Sequence, residues 1–202
     1  VDPCQAVGRV DKLWVEFAKH FEKASDFDQA DRIFDLATLV NFKRVDDLAS
    51  VWCEWAEMKL RQGKSNEAIR IIEKATNIPK AKVDYFDQTQ TVQARLFKNI
   101  KVWSMYADLE ESFGSFKTCK AVYERIIELK ICSARVVLNY ACFLEENNYF
   151  EDAFRAYEKG IALFHWPVVF EIWLVYLTKF IARYRNSKVE RTRDLFEQCL
   201  VS

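Results

Sequence analysis

A hydrophobic stripe recurs five times along the chain. Its first position, numbered 0, is usually tryptophan, position +3 is always aromatic, and position +4 is alanine in all but the last copy. Position 0 is occupied by Trp14, Trp52, Trp103, Val137 and Trp173, and position +3 by Phe17, Trp55, Tyr106, Tyr140 and Tyr176. Positions 0, +3 and +4 share one face of a helix. Each copy therefore predicts an amphipathic helix, which we call helix A of a unit.

A second stripe follows each of the first four copies at positions +16, +19, +20 and +23, and the fifth copy carries it three residues late. The same helical spacing predicts a second helix, helix B. Position +11, between the stripes, is occupied by Ser25, Gly63, Gly114 and Asn148. Glycine and asparagine tolerate the left-handed conformation that ends a helix. We therefore predict a tight turn between helix A and helix B.

One helical hairpin cannot bury both of its stripes, whereas stacked hairpins can. We predict an all-α fold, a right-handed α-solenoid of about five antiparallel helical hairpins. It would form one array over residues 1–202, with units at about 10–40, 48–78, 99–130, 133–165 and 169–202. Both ends of such an array leave an apolar face uncovered. Self-association is therefore expected near Leu13 and Phe17 and near Leu195 and Leu200.

An insert at residues 79–98 interrupts the repeat between the second and third units. Pro79 ends the preceding helix B, and Tyr85 and Phe86 are apolar residues within a polar stretch. A loop of this length inside a compact array is often functional. The candidate partner-binding residues in it are Tyr85, Phe86, Asp87 and Arg95. The alternative is an irregular connection that packs on its own unit.

Composition excludes several functions. Lys and Arg together number 30, as do Asp and Glu, so overall charge does not favour nucleic acid. The six cysteines form no CxxC pair, the two histidines stand apart, and no glycine-rich phosphate loop or nucleophile motif occurs. We predict no enzyme activity, no metal and no cofactor, with cysteines buried in a reducing compartment. The paired acids Glu110–Glu111 and Glu145–Glu146 are predicted to form solvated or partner-facing ridges.

Positive charge concentrates near the end of the chain. Residues 179–193 contain six basic residues against Glu190 alone. Three interpretations stay open: a solvated face, a surface for an acidic protein partner, or an RNA-binding surface. The candidate binding residues here are Arg183, Arg185 and Lys188.

The repeat resembles the HAT (half-a-TPR) repeat, most clearly in AVYERI (121–126) and AFRAYEKGI (153–161). Longer segments look like the SYF-type pre-mRNA splicing factors, also known as XPA-binding proteins. They include NFKRVDDLASVWCEWAEMKLR (41–61), KVWSMYADLEESFGSFKTCKAVYERI (101–126) and YLTKFIARY (176–184). The insert also agrees, through YFD (85–87), VQ (92–93) and Arg95. Members of this family are much longer, so the resemblance implies an internal fragment.

The resemblance implies a non-enzymatic scaffold of the spliceosome, in the nineteen-associated complex of the nucleus, with a further association with transcription-coupled DNA repair. The implied partners are other spliceosomal proteins, including HAT-repeat proteins and the Aquarius-type helicase. No membrane partner is expected. The alternative function is direct RNA binding through the basic stretch 179–193 and the insert 79–98.

Overall fold

The computed structural model describes residues 9–79, 83–87, 89–184 and 187–201. The chain divides into two compact units, residues 1–126 and residues 127–202, which are described separately. Within the described residues the secondary structure is helical and no strand occurs. The all-α prediction is confirmed.

The first unit contains the first three predicted helix pairs. They are α1 (Val10–Lys23) with α2 (Phe27–Thr38), α3 (Val45–Arg61) with α4 (Ser65–Ala75), and α6 (Ile100–Phe113) with α7 (Phe116–Glu128), whose last residues extend past the unit. The insert contributes a short helix, α5 (Val92–Arg95), and a 3₁₀ turn at Leu96–Lys98. Helix α3 packs against α1, α2, α4 and α6 and thus forms the centre of this unit.

The second unit contains the fourth and fifth pairs. They are α8 (Ala134–Glu146) with α9 (Phe150–Leu163) and α10 (Val169–Tyr184) with α11 (Val189–Val201). Helix α10 packs against α8, α9 and α11. The helical hairpins are therefore confirmed, and a single array over the whole chain stays a prediction.

The helix B stripe accounts for much of the buried surface. Every residue at positions +16, +19, +20 and +23 of the first four pairs is buried. In the first two pairs, alanines at +16 and +23 flank larger side chains at +19 and +20; the third pair has Ile126 at +23 and the fourth has Ala156 at +19. Small residues allow two helices to approach closely while the larger ones fill the remaining space.

The helix A stripe is less uniform. Trp103 and Trp173 are 4% and 3% exposed, but Trp14 and Trp52 are only half-buried. Trp52 stays partly exposed because Trp55, one turn later, occupies the buried position beside it. Phe17 is also exposed and contacts Phe21 edge-on.

Three of the four turn residues adopt the expected left-handed conformation: Ser25 at φ 61°, Gly63 at φ 74° and Asn148 at φ 67°. Gly114 differs, since its φ of −88° and ψ of −164° are extended. A Cβ atom at Gly114 would lie 2.7 Å from the carbonyl oxygen of Glu110. Glycine is required there for close approach rather than for a positive φ.

The apolar ends are exposed in part as expected. Leu13 is 71% exposed and Leu200 is 85% exposed. Leu195 corrects the expectation, because it is 1% exposed and lies on the stripe of α11, which packs against α10. Self-association through these faces stays a prediction.

Candidate functional site

The described part of the insert is anchored on the first two hairpins. Val92 and Leu96 are buried, and the short helix α5 packs against α3. The Gln93 side-chain amide donates to the carbonyl oxygen of Val40 at 2.9 Å. The Asn99 amide donates to Asp46 at 2.7 Å. These bonds fix residues 92–99 against the α2–α3 connection and the first turn of α3.

The two aromatic residues of the insert have different environments. Their rings contact edge-on, with centroids 5.4 Å apart. Tyr85 is half-buried against the hydrophobic core, and its carbonyl oxygen accepts a hydrogen bond from Arg95 at 3.3 Å. Phe86 is 84% exposed. The insert therefore uses Tyr85 as an anchor and presents Phe86 at the surface.

The other two candidates in the insert stabilise its shape. Asp87 accepts hydrogen bonds from the backbone and hydroxyl of Thr89, at 2.9 and 2.7 Å. These bonds hold the pKa of Asp87 below its usual value. Arg95 binds Tyr85 through one terminal nitrogen, while its Nε atom is buried without a hydrogen-bond partner among the described residues.

A cavity of about 530 Å³ lies between the insert and the α2–α3 connection. Its lining includes Tyr85, Phe86, Arg95, Arg44 and Asp46. An exposed aromatic ring beside arginine side chains is a combination of residue types that is enriched at protein interfaces.

The basic stretch of the second unit is largely paired within the chain. Lys179 donates to Glu145 at 2.7 Å, and Arg191 donates to Glu158 at 3.0 Å. Arg193 lies 3.5 Å from Glu190 and 3.6 Å from Glu197.

The three candidate residues of this stretch follow the same trend. The Arg183 guanidinium stacks 3.7 Å from the centre of the Phe150 ring. Lys188 lies 3.7 Å from the centre of the Tyr184 ring and 3.7 Å from Glu151. Arg185 lies outside the described residues. Because the described cations have intramolecular partners, this stretch offers less free positive charge than its sequence indicates.

The paired acids are only partly solvated, which corrects part of the sequence-based expectation: Glu111 and Glu146 are exposed, whereas Glu110 is buried and Glu145 is half-buried. Glu110 is 6% exposed, and its carboxylate accepts a hydrogen bond from Thr118. Glu111 accepts from the Tyr123 hydroxyl, and Glu145 accepts from the Tyr157 hydroxyl at 3.0 Å. The sequence signal was present: in both hairpins a tyrosine at +20 follows a glutamate at +8.

No metal or nucleophile site emerges from the described part of the chain, where no group of three or more His, Cys, Asp or Glu side chains could hold a metal ion. Burial raises the pKa of the Cys53 thiol to about 11 and that of Cys119 to about 12. Cys142 is exposed, contrary to the expectation of buried cysteines. No helix among the described residues is long and apolar enough to cross a bilayer.

Helical hairpins with matching buried stripes, joined by short turns, define a helical-repeat protein. The chain belongs to the family of the pre-mRNA-splicing factor Syf1/CRNKL1 C-terminal HAT repeat, whose family model matches residues 3–202. The resemblance drawn from the sequence is thereby confirmed.

Curated relatives agree over nearly the whole chain. It is 60% identical to the Pre-mRNA-splicing factor syf1 homolog of Drosophila melanogaster and 56% identical to the Pre-mRNA-splicing factor SYF1 of Homo sapiens, over 99% of this chain and 23% of each relative. It is 49% identical to the Pre-mRNA-splicing factor cwf3 of Schizosaccharomyces pombe, over 99% of this chain and 25% of the relative. The chain thus spans about a quarter of the length of these relatives.

Proposed function

We propose that this chain is a non-catalytic protein-interaction segment of a pre-mRNA-splicing factor and acts in the nucleus as part of a spliceosomal scaffold. Its identity of 60% to a protein named as a splicing factor carries this proposal. Stacked helical hairpins supply an extended surface for partners, which is how such repeats are generally used.

Within this segment the insert is the proposed contact surface. Phe86 is exposed, yet its backbone is held by the anchored Tyr85 and by the bonds around Asp87 and Gln93. A preorganised loop loses little conformational entropy on binding, and aromatic side chains are enriched at interface cores. Exposure of a large apolar side chain beside an anchored tyrosine therefore supports a protein partner.

The family resemblance extends this proposal to particular assemblies. We place the segment in the nineteen-associated complex, with other HAT-repeat proteins and the Aquarius-type helicase as partners. A role in transcription-coupled DNA repair is proposed on the same ground. These assignments rest on the resemblance and on the names of the relatives.

The test is a Phe86→Ala variant of the full-length splicing factor. Phe113→Ala is the matched control, because Phe113 is a 54% exposed aromatic residue of the same unit outside the insert. Each protein is affinity-purified from nuclear extract, with and without RNase, and the co-purifying splicing proteins are quantified. We expect Phe86→Ala to lose at least one partner that the wild type and Phe113→Ala retain.

The outcomes separate the protein and RNA alternatives. A partner lost from the wild type after RNase treatment would indicate association through RNA. Retention of every partner by Phe86→Ala at wild-type levels would reject the insert as the contact surface. The unfolding midpoint of each variant is measured in parallel, because a shift specific to Phe86→Ala would indicate a structural role for this side chain.

A further inference from the structure

A second surface of the first unit lies along its B helices, where two cavities meet. The first cavity, of about 380 Å³, is lined by residues of α2, α3 and α4. The second, of about 700 Å³, is lined by residues of α4, α6 and α7 and of the segment after α4. Arg70 and Lys74 of α4 line both cavities. The two cavities therefore adjoin at these side chains, and together we call them the helix-B groove.

Charges on the floor of the helix-B groove are neutralised within the protein. Asp31 accepts hydrogen bonds from the Trp55 indole at 2.8 Å and from Lys59 at 2.5 Å. Lys59 also lies 3.1 Å from Glu67 and is only 5% exposed. Burial alone would lower the pKa of Lys59, but the hydrogen bonds to the two carboxylates outweigh it and raise this pKa. Glu67 also lies 3.7 Å from Lys64, so the two carboxylates of the floor are balanced by two lysines of the chain.

Charges on the rim are different. Arg32, Arg70 and Lys74 are exposed, and no described residue forms an ion pair or side-chain hydrogen bond with them. Arg32 and Arg70 occupy the same position, +18, of the first two hairpins, and Lys74 lies one turn beyond Arg70. Helical-repeat geometry therefore presents unpaired donors from successive B helices along one edge of the groove. Arginine binds carboxylates through two parallel hydrogen bonds.

The composition of the rim discriminates between anionic partners. Two exposed acids, Asp35 and Glu73, lie among these three cations, and the exposed Arg125 also lines the second cavity. The two acids lower the net positive charge of the rim, whereas phosphate-backbone binding depends on the number of phosphates that Lys and Arg neutralise. A polypeptide can place carboxylates against the cations and neutral residues against the acids. Ile71 and Ile78 in the lining add apolar surface for such a segment.

The geometry points to the helix-B groove as a docking site for an acidic polypeptide segment whose carboxylates pair with Arg32, Arg70 and Lys74. This site is separate from the Phe86 surface, because the groove and the cavity beside the insert share no lining residue. A test of the helix-B groove is therefore independent of the test of the insert.

The test measures binding to the full-length protein at two salt concentrations. The probes are a fluorescein-labelled peptide of alternating Glu and Leu residues and a labelled 20-nucleotide uridine RNA. The groove variant is Arg32→Glu with Arg70→Glu. Its control is Lys12→Glu with Lys23→Glu, which changes the net charge equally at exposed residues of α1 outside the groove. We expect the groove variant to weaken peptide binding at least tenfold and the control to change it less than twofold.

Three outcomes would overturn the proposal. Equal weakening by the two variants would show that only overall charge acts. Unchanged peptide binding by the groove variant would place the acidic partner elsewhere. Tighter binding of the RNA than of the peptide, lost in the groove variant alone, would make the groove a phosphate site. Arg32→Gln with Arg70→Gln replaces the groove variant if the charge reversal lowers its unfolding midpoint.

Discussion

The Tyr157 hydroxyl on α9 donates a hydrogen bond to Glu145 on α8, with the two oxygen atoms 3.0 Å apart. The second carboxylate oxygen of Glu145 accepts a hydrogen bond from Lys179 on α10 at 2.7 Å. One carboxylate therefore connects three helices of the second unit. Tyr123 and Glu111 form the same tyrosine–glutamate pair in the preceding hairpin. This pair fixes helix A against helix B at the level of the turn.

Removal of this hydroxyl is expected to destabilise the second unit. A Tyr157→Phe variant keeps the buried ring but loses the donor to Glu145. Hydrogen bonds to charged groups contribute about 1.5–3 kcal/mol. Because Glu145 keeps its bond to Lys179, we expect a loss of about 1–2 kcal/mol in the free energy of unfolding, measured with urea.

Tyr85→Phe is the matched control for this variant. No described residue forms a hydrogen bond with the Tyr85 hydroxyl, and the ring is half-buried like many interface aromatics. We expect its free energy of unfolding to equal that of the wild type. A loss of equal size in both variants would mean that the hydrogen bond to Glu145 contributes nothing specific.

Stability at alkaline pH should depend on the same tyrosine. Burial and the neighbouring Glu145 raise the pKa of Tyr157 above its ordinary value of 10.0. Above about pH 10 the unfolded chain releases this proton while the folded chain retains it, so the free energy of unfolding falls as the pH rises. The stability difference between wild type and Tyr157→Phe should therefore shrink by about 1 kcal/mol between pH 10 and pH 11, since the unfolded tyrosine is only half deprotonated at pH 10. A difference that stays constant from pH 8 to pH 11 would contradict this linkage.

Much of the fold was predictable because the stripes that specify it are local. Positions +16, +19, +20 and +23 lie on one face of helix B, so the burial of these residues follows from their spacing alone. Gly114 was not predictable in the same way, because its extended backbone depends on the approach of Glu110 within the folded turn. The half-buried state of Trp52 likewise depends on which neighbour fills the available space.

The candidate site was less predictable, because pairing depends on contacts between distant residues. The sequence indicated unpaired positive charge in the basic stretch. In the structure Lys179 donates a hydrogen bond to Glu145 and Arg191 donates one to Glu158, each more than thirty residues earlier in the chain. The spacing of Tyr157 from Glu145 was visible, yet only the fold turns that spacing into a hydrogen bond. The exposure of Phe86 beside a half-buried Tyr85 could not be predicted, because it depends on how the insert packs against the first two hairpins.

Trp52 and Trp103, which occupy position 0 of the second and third hairpins, should differ in their contribution to stability. Trp103 is 4% exposed, and its indole donates to the carbonyl oxygen of Phe97 at 2.7 Å. We expect Trp103→Ala to lower the free energy of unfolding by about 3–5 kcal/mol, as is typical of large-to-small core changes. Trp52→Ala should cost less, since half-buried side chains lose less transfer free energy and leave no closed cavity. Urea unfolding of both variants measures this order, and an equal or reversed order would contradict it.

The fourth hairpin should tolerate no larger residue at position 0, although the other four hairpins have tryptophan there. Val137 is fully buried, and the opposing position +23 is Gly160, where a Cβ atom would lie 2.7 Å from Val137 Cγ1 and 3.1 Å from Ile172 Cδ1. Small residues at both positions show that the helices have closed around the smaller pair. We expect Val137→Trp to cost about 1–3 kcal/mol or more through overpacking, and Gly160→Ala to cost an amount within that range.

Val137→Ala, which adds no volume, provides the contrast: it leaves a cavity and also destabilises the fold, but it should relieve part of the cost of Gly160→Ala in the double variant. Urea unfolding of the wild type, Val137→Ala, Gly160→Ala and the double variant forms a double-mutant cycle. Additive costs would show that the two positions do not contact each other, and unchanged stability of Val137→Trp would show that the hairpin opens to accept the ring.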